Sequence, residues 1–169
     1  MSTAAYAFDN TGFIASPSIY GFGKTAEYLK DLFERSFKES FLTSFTFSSN
    51  YKSLIANLNE VCYEAIDENW DGYNAKPLNI WSYIKSIKFI ILLPTSFPAP
   101  EISVDPDGEI SFEWFVKPRY IFTVSVSPYN KISYAGLIGI NSVKGVESFE
   151  DELPRLILDN LIRLYSHEG

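Results

Sequence analysis

The densest gathering of recognition-type and reactive side chains is the run Asn69-Trp70-Asp71-Gly72-Tyr73-Asn74-Ala75-Lys76-Pro77. A carboxylate held between two aromatic rings can act as a general acid or base on a substrate stacked against Trp70 or Tyr73. The same residues also spell a plain turn. In that reading Gly72 ends a helix in the left-handed region, Asp71 accepts from nearby amides, and both rings plug the core beneath. Asp71 is therefore the candidate catalytic group, with Trp70 and Tyr73 as candidate binding residues, and the turn reading stands beside it.

A second constellation is Glu109 and Glu113 with Ser111 between them. Alternate residues of a strand share a face, so the two carboxylates stand on one side, where they can do acid/base or metal chemistry or form a solvated surface. Glu113 is the candidate second carboxylate should Asp71 be catalytic. Asp105 and Asp107 ahead of Gly108 look like the opening of a calcium loop, but the distal bidentate glutamate is out of register, which leaves a tight turn. Gly21-Phe22-Gly23-Lys24-Thr25 has the ending of a phosphate-binding loop, yet Ser18 stands where the earlier glycine is required.

Much chemistry is excluded by what the chain lacks. His167 is the single histidine, so neither a Ser–His–Asp triad nor a multi-histidine metal site can be built from one copy. No Gly-x-Ser-x-Gly elbow occurs. The single cysteine, Cys62, falls on an apolar helical stripe, where a thiol is more often a small buried hydrophobe than a nucleophile. No motif calls for a cofactor or metal. The inventory favours a non-catalytic protein-binding module of inhibitor, antitoxin, immunity or adaptor type, with Trp70, Tyr73, Glu109 and Glu113 as contact residues. The alternative is a small enzyme or ligand-binding domain using Asp71 at a pocket.

Charge narrows the partners. The net charge is −7, which opposes docking on a phosphate backbone, and nucleic-acid binding would require Lys117, Arg119 and Lys131 to gather into a stripe. The C-terminal portion from Glu101 carries 11 acids against 6 bases, so a protein partner of basic character would meet that part. One cysteine forbids an intramolecular disulfide, the start Met1 to Asp9 has no basic leader, and the apolar run Phe89 to Pro94 is far short of the ~20 residues a bilayer span needs. The expectation is a cytoplasmic chain with no membrane contact and no stated oligomeric order.

Positioning these residues requires a scaffold, and 169 residues with 46% hydrophobic content suit one domain, residues 1–169, with a loop-rich or edge-strand segment over 1–22. Apolar spacing predicts a helix from Lys24 through Phe37, a short strand over Phe41 to Ser49, and a core helix from Lys52 to Asp67 carrying Ile55, Leu58, Val61, Cys62, Ala65 and Ile66. Asn79 caps a further helix through Ile80, Ile84, Ile87 and Ile91 that ends near Pro94. Beyond the proline-rich connector the period becomes two: Glu101–Val104 and Glu109–Phe115 flank Asp105-Pro106-Asp107-Gly108, and Tyr120–Ser127 and Ile132–Ile138 flank a second turn. Ser148 is the expected cap of a last helix lined by Leu153, Leu156, Ile157, Leu161 and Leu164. The fold class is α+β in two layers: a four-stranded antiparallel meander covered by N-terminal helices and one C-terminal helix.

The run Trp70-Asp71-Gly72-Tyr73 with Ala75 and Pro77, followed by Leu93-Pro94, Pro98, Pro100-Glu101-Ile102, Asp107-Gly108, Glu113-Trp114 and Glu152-Leu153-Pro154, resembles a group of small uncharacterised bacterial proteins with a Trp-Asp-Gly-Tyr-x-Ala-x-Pro signature. The resemblance covers about Asn69 to Leu164 and implies a bacterial cytosolic protein without implying an activity. Asn74 stands where that signature has glycine.

Overall fold

The computed structural model describes residues 49–166 together with Asp31. The helix expected from Lys24, the segment 1–22, the Gly21–Thr25 run and His167 lie outside the described residues. So does the strand expected over Phe41 to Ser49, except for Ser49, which begins a helix.

The chain is α+β, with α1 (Ser49–Glu64), α2 (Ile80–Leu92), β1 (Glu101–Val104), β2 (Ile110–Lys117), β3 (Tyr120–Val126), β4 (Lys131–Ile138), β5 (Asn141–Ser148) and α3 (Arg155–Tyr165). The strands form one antiparallel sheet in the order β1-β2-β3-β4-β5. Alternation puts Ile102, Val104, Ile110, Phe112, Trp114, Phe122, Val124, Val126, Ile132 and Ile138 on one face, where all are buried. The three helices among the described residues cover that face, as the two-layer expectation requires.

The sheet has five strands, not four. Asn141–Ser148 pairs along its whole length with β4, from Ile138↔Asn141 to Lys131↔Ser148. Its inner positions are Val143, Gly145 and Glu147, so the apolar alternation that marks a half-buried strand is thin, and pairing with β4 carries the assignment. Gly139 at φ +68 opens the two-residue turn from β4, a position where positive φ suits the twist of a hairpin. Gly145 lies beneath the ring of Tyr134, its cross-strand partner, which covers the missing side chain. Since Ser148 closes β5, it cannot cap the last helix. That helix starts at Arg155 behind Pro154, which supplies no side-chain cap. It buries Ile157, Leu161 and Leu164, while Leu156 is turned outward.

In α1 the inward residues Leu54, Leu58 and Cys62 recur at helical spacing against the sheet, with Ile55 and Val61 half-buried beside them; the helix ends at Glu64, short of the expected Asp67, and Ala65 is buried just past its end. The side chain of Asn79 caps α2 by accepting from Trp81 N at 3.0 Å, and Pro94 follows its last turn. The face of α2 differs from the isoleucine stripe expected. Ser82, Tyr83, Ser86, Phe89 and Ile90 point inward, while Ile84 and Ile91 are exposed. Because this helix is apolar nearly all round, spacing alone could not choose its buried side. The small serines permit a close approach to the sheet, and Tyr83 reaches α1 by donating to Asn59 Oδ1 at 2.7 Å.

Ser82 Oγ and Ser86 Oγ are fully buried without a hydrogen-bond partner. A buried hydroxyl left unpaired is destabilising, and alanine is the better helix former. Ser82→Ala and Ser86→Ala are each expected to stabilise the fold by about 1 kcal/mol, a rise of roughly 2–4 °C in Tm. A fall in Tm for both would mean that the hydroxyls find partners.

Candidate functional site

The connection from α1 to α2 shows what the residues Asn69 to Pro77 do. Asn69, Gly72 and Asn74 all take positive φ, at +60, +77 and +68, and fold the segment into consecutive tight turns. Asp71 Oδ1 accepts from Tyr73 N at 2.7 Å and Ala75 N at 3.1 Å, an arrangement that holds the turn from inside. Asn69 Oδ1 accepts from Asn74 N at 2.7 Å, and Trp70 Nε1 donates to Lys76 O at 3.0 Å. The Trp70 ring packs against the core, as the turn reading expects. Tyr73 does not plug the core: it is 88% exposed.

The same segment is fastened to the β1–β2 hairpin. Lys76 N donates to Pro106 O at 2.8 Å, and Asn79 N donates to Gly108 O at 2.9 Å. Gly108 sits at φ +88, and a Cβ there would fall 2.5 Å from Pro77 O. Glycine is thus required twice over, by conformation and by contact. The joint puts the Trp70 loop at the end of the sheet where Glu109 precedes β2.

A cleft of ≈ 630 Å³ is lined by Pro94, Phe97, Pro98, Leu158, Ile162 and Tyr165. Neither Asp71 nor Trp70 nor Tyr73 belongs to its lining. Asp71 Oδ1 is held by two amides, as the turn reading expects.

The face of the sheet turned away from the described helices is organised row by row by the strand register. Asp105, Glu109, Ser127, Lys131 and Ser148 make the row at the β1–β2 hairpin end. Next come Ser103, Ser111, Ser125, Ser133 and Val146, then Glu101, Glu113, Thr123, Ala135 and Lys144. The last row is Phe115, Ile121, Leu137 and Ser142. Both glutamates expected on the wet face are there, and each is engaged by a hydroxyl. Thr123 donates to Glu113 Oε2 at 3.1 Å, and Ser125 Oγ shares its proton between Glu109 Oε2 and Asp105 Oδ2, each at 3.1 Å. Ser111 donates to Asp105 Oδ2 at 2.6 Å and is buried although it lies on the open face. Among the described residues no group of His, Cys, Asp and Glu is placed to hold a metal ion.

This face is not uniformly wet. Phe115 is 62% exposed, Val146 61% and Leu137 41%, with Ile121 half-buried between Phe115 and Leu137. Sequence reasoning missed these four. The signal for Phe115 was its parity with Glu113, which puts a large ring on the polar side of β2. The structure therefore puts Glu113 beside an apolar row and Glu109 at the far end of the same face, and leaves Trp70 on the core side of the adjoining loop.

The basic stripe does not assemble. Lys117 and Arg119 stand at the β2–β3 turn, with Lys117 Nζ 4.8 Å from the centre of the Tyr120 ring and Arg119 Nε donating to Gly139 O at 2.9 Å. Lys131 opens β4 at the opposite end of β3.

Cys62 is fully buried, and desolvation pushes its thiol far above the ordinary range. The folded chain is expected to resist alkylation by iodoacetamide at neutral pH and to react fully in denaturant. Mass spectrometry reads both states, and rapid labelling under native conditions would contradict the burial.

Among the described residues no helix is long and apolar enough to cross a membrane. Comparison with protein-family models, curated proteins and solved structures finds no match to this chain.

Proposed function

We propose that the chain is a non-catalytic protein-binding module whose contact surface is the open face of the sheet. The observation that carries this reading is that an apolar row on one face of the sheet, with Phe115 and Leu137 exposed and Ile121 half-buried, adjoins the row of Glu101 and Glu113, with Glu109 two rows further on. Apolar side chains supply affinity when water is removed from them, and flanking charges select and steer the partner. Carboxylates on the β1 and β2 side suit a protein partner that is basic there. Inhibitor, antitoxin, immunity and adaptor roles all use such a surface. The buried free thiol of Cys62 accords with a reducing, cytoplasmic setting, and the resemblance carried by Trp70 to Pro77 accords with a bacterial source.

Small side chains fill the middle of the surface, where Ser103, Ser111, Thr123, Ser125, Ser133 and Ala135 leave room for a partner's backbone or side chains to come close. The test is affinity capture with the tagged chain at native abundance, comparing wild type with Phe115→Ser, Glu113→Lys and Tyr73→Ala. A stoichiometric partner kept by wild type and by Tyr73→Ala, and lost by the two sheet variants, supports the reading. Capture unaffected by Phe115→Ser and Glu113→Lys overturns it.

A further inference from the structure

The open face is charged asymmetrically. Its carboxylates, Glu101, Asp105, Glu109 and Glu113, all lie on the β1 and β2 side, and its lysines, Lys131 and Lys144, lie on the β4 and β5 side. The central strand β3 contributes only Ile121, Thr123 and Ser125 to the same face. A surface of this kind is complementary to itself.

A two-fold axis lying in the plane of the face and running along β3 superposes each row on itself and exchanges the two sides. Under that operation β1 of one copy faces β5 of the other, and β2 faces β4. Glu101 then stands opposite Lys144 of the second copy, and Glu109 opposite its Lys131. Phe115 meets Leu137, Ile121 and Ser125 meet their own counterparts on the axis, and the remaining carboxylates, Glu113 and Asp105, meet Ala135 and Ser148. Rotating the operation by a quarter turn, to an axis across the strands, would set each strand against its own copy, so that no carboxylate meets a lysine and the complementarity is lost. Aligned sheets pack about 30° apart because each is twisted, which displaces facing residues two strands from the axis by about 5 Å, within reach of glutamate and lysine side chains.

We infer that the open face is closed by a second copy of this chain, packed sheet to sheet about an axis along β3. The inference rests on the reading of this face as a contact surface and names its occupant: Lys131 and Lys144 of the second copy are the basic partner that Glu109 and Glu101 call for. Isologous contact of this kind is the commonest form of oligomer. The expected strength follows from the size of the patch. Five strands ~4.8 Å apart, averaging ~23 Å in length, give a footprint of roughly 500 Å² per copy, about 1,000 Å² in total, at the low end for a specific interface. The dimer is accordingly weak, with a Kd on the order of micromolar, and dissociates on dilution.

Sedimentation equilibrium of the full chain from about 1 to 300 μM tests this, together with two charge-reversed chains, Lys131→Glu/Lys144→Glu and Glu101→Lys/Glu109→Lys. Wild type is expected to pass from monomer to dimer across that range. Each reversed chain alone is expected to stay monomeric through ~300 μM, since like charges then face each other at every pair. Their equimolar mixture is expected to dimerise, because at positions 101, 109, 131 and 144 one copy then carries only acids and the other only lysines. Circular dichroism of each variant checks that it folds, so a monomer is not mistaken for a failure of the fold. Cross-linking mass spectrometry of wild type should join Lys144 of one copy to Glu101 of the other.

Wild type monomeric at all concentrations overturns the inference, as does a dimer that persists in both reversed chains or a mixture that fails to pair. Cross-links within one chain from Lys24, Lys30 or Lys38 to Glu109 or Glu113 would name residues 1–48 as the occupant instead, and would also overturn it. The two readings separate cleanly. Should the chain be monomeric while Phe115→Ser and Glu113→Lys still lose a captured protein, the face is a binding surface for a different partner; should it dimerise through the face and capture nothing else, the second copy is its partner.

Discussion

Trp114→Ala is expected to remove about 3–5 kcal/mol of stability, the largest loss for any single truncation in this core. The indole is 1% exposed, stands at the centre of β2, and meets Phe89 of α2 edge-on at 6.5 Å and Phe122 of β3 at 6.4 Å. Its Nε1 donates to Pro98 O at 3.0 Å, tying the α2–β1 connector to the sheet. Removing the ring opens a cavity among side chains held by three elements and leaves a carbonyl without its donor. Since a domain of this kind has about 5–15 kcal/mol in total, the variant would be marginally folded. Trp114→Phe keeps most of the volume and loses the hydrogen bond, so its cost should be about 1–2 kcal/mol. Urea unfolding of both variants measures this as a shift in midpoint at constant slope. A loss under about 1.5 kcal/mol for alanine would mean the core closes over the gap, contrary to the close packing expected of protein interiors.

Gly108→Ala should be the second most damaging change, at about 2–4 kcal/mol, although it adds a single methyl group. The new carbon would meet Pro77 O at 2.5 Å and Asn79 N at 3.2 Å, both backbone atoms with no rotamer to yield, at a φ of +88. Relief requires the hairpin to move off the α1–α2 loop, which breaks the Lys76–Pro106 and Asn79–Gly108 hydrogen bonds. Gly72→Ala is the matched control. Gly72 also has positive φ, at +77, but its added Cβ would meet nothing within 4 Å, so alanine there costs only the left-handed penalty, about 1 kcal/mol. The difference between the two variants in thermal or urea unfolding isolates the contact. Equal losses would show that conformation alone governs both sites.

These two positions also mark how far the sequence could be read. Trp114 was legible because Ile110, Phe112 and Trp114 alternate strictly with polar residues, and a period of two with Asp-Gly at the turn admits one pairing. The hairpin, α1 and the cap at Asn79 follow from equally local signals. The fifth strand escaped because an edge strand has one partner and little to bury, so Val143-Lys144-Gly145-Val146 carries no alternation to detect. The buried side of α2 escaped for the opposite reason: with isoleucine on nearly every face, no moment singles out Ser82 and Ser86 as the inward pair. Asp71 was read correctly as a turn residue in one of its two interpretations, since Asx turns follow from residue type alone. The role of Gly108 in joining the loop to the hairpin, and the apolar row through Phe115, Ile121 and Leu137, depend on register across four strands. Register is a property of the assembled sheet, and no window of sequence contains it.

The order β1-β2-β3-β4-β5 in the sheet is also the order of the strands in the chain. During synthesis each strand can therefore pair with the one made just before it, across a connection of a few residues, and no strand waits for a distant partner. The helices break this sequence. α1 and α2 emerge ahead of the surface they cover, but α3, which packs on β3 and β4, is made after the sheet is complete. Until Ile157, Leu161 and Leu164 arrive, one end of the inner face of a finished five-stranded sheet stands bare. A folding chain passes through that sticky interval whenever the sheet closes before α3 docks, and truncation ahead of Arg155 would make it permanent.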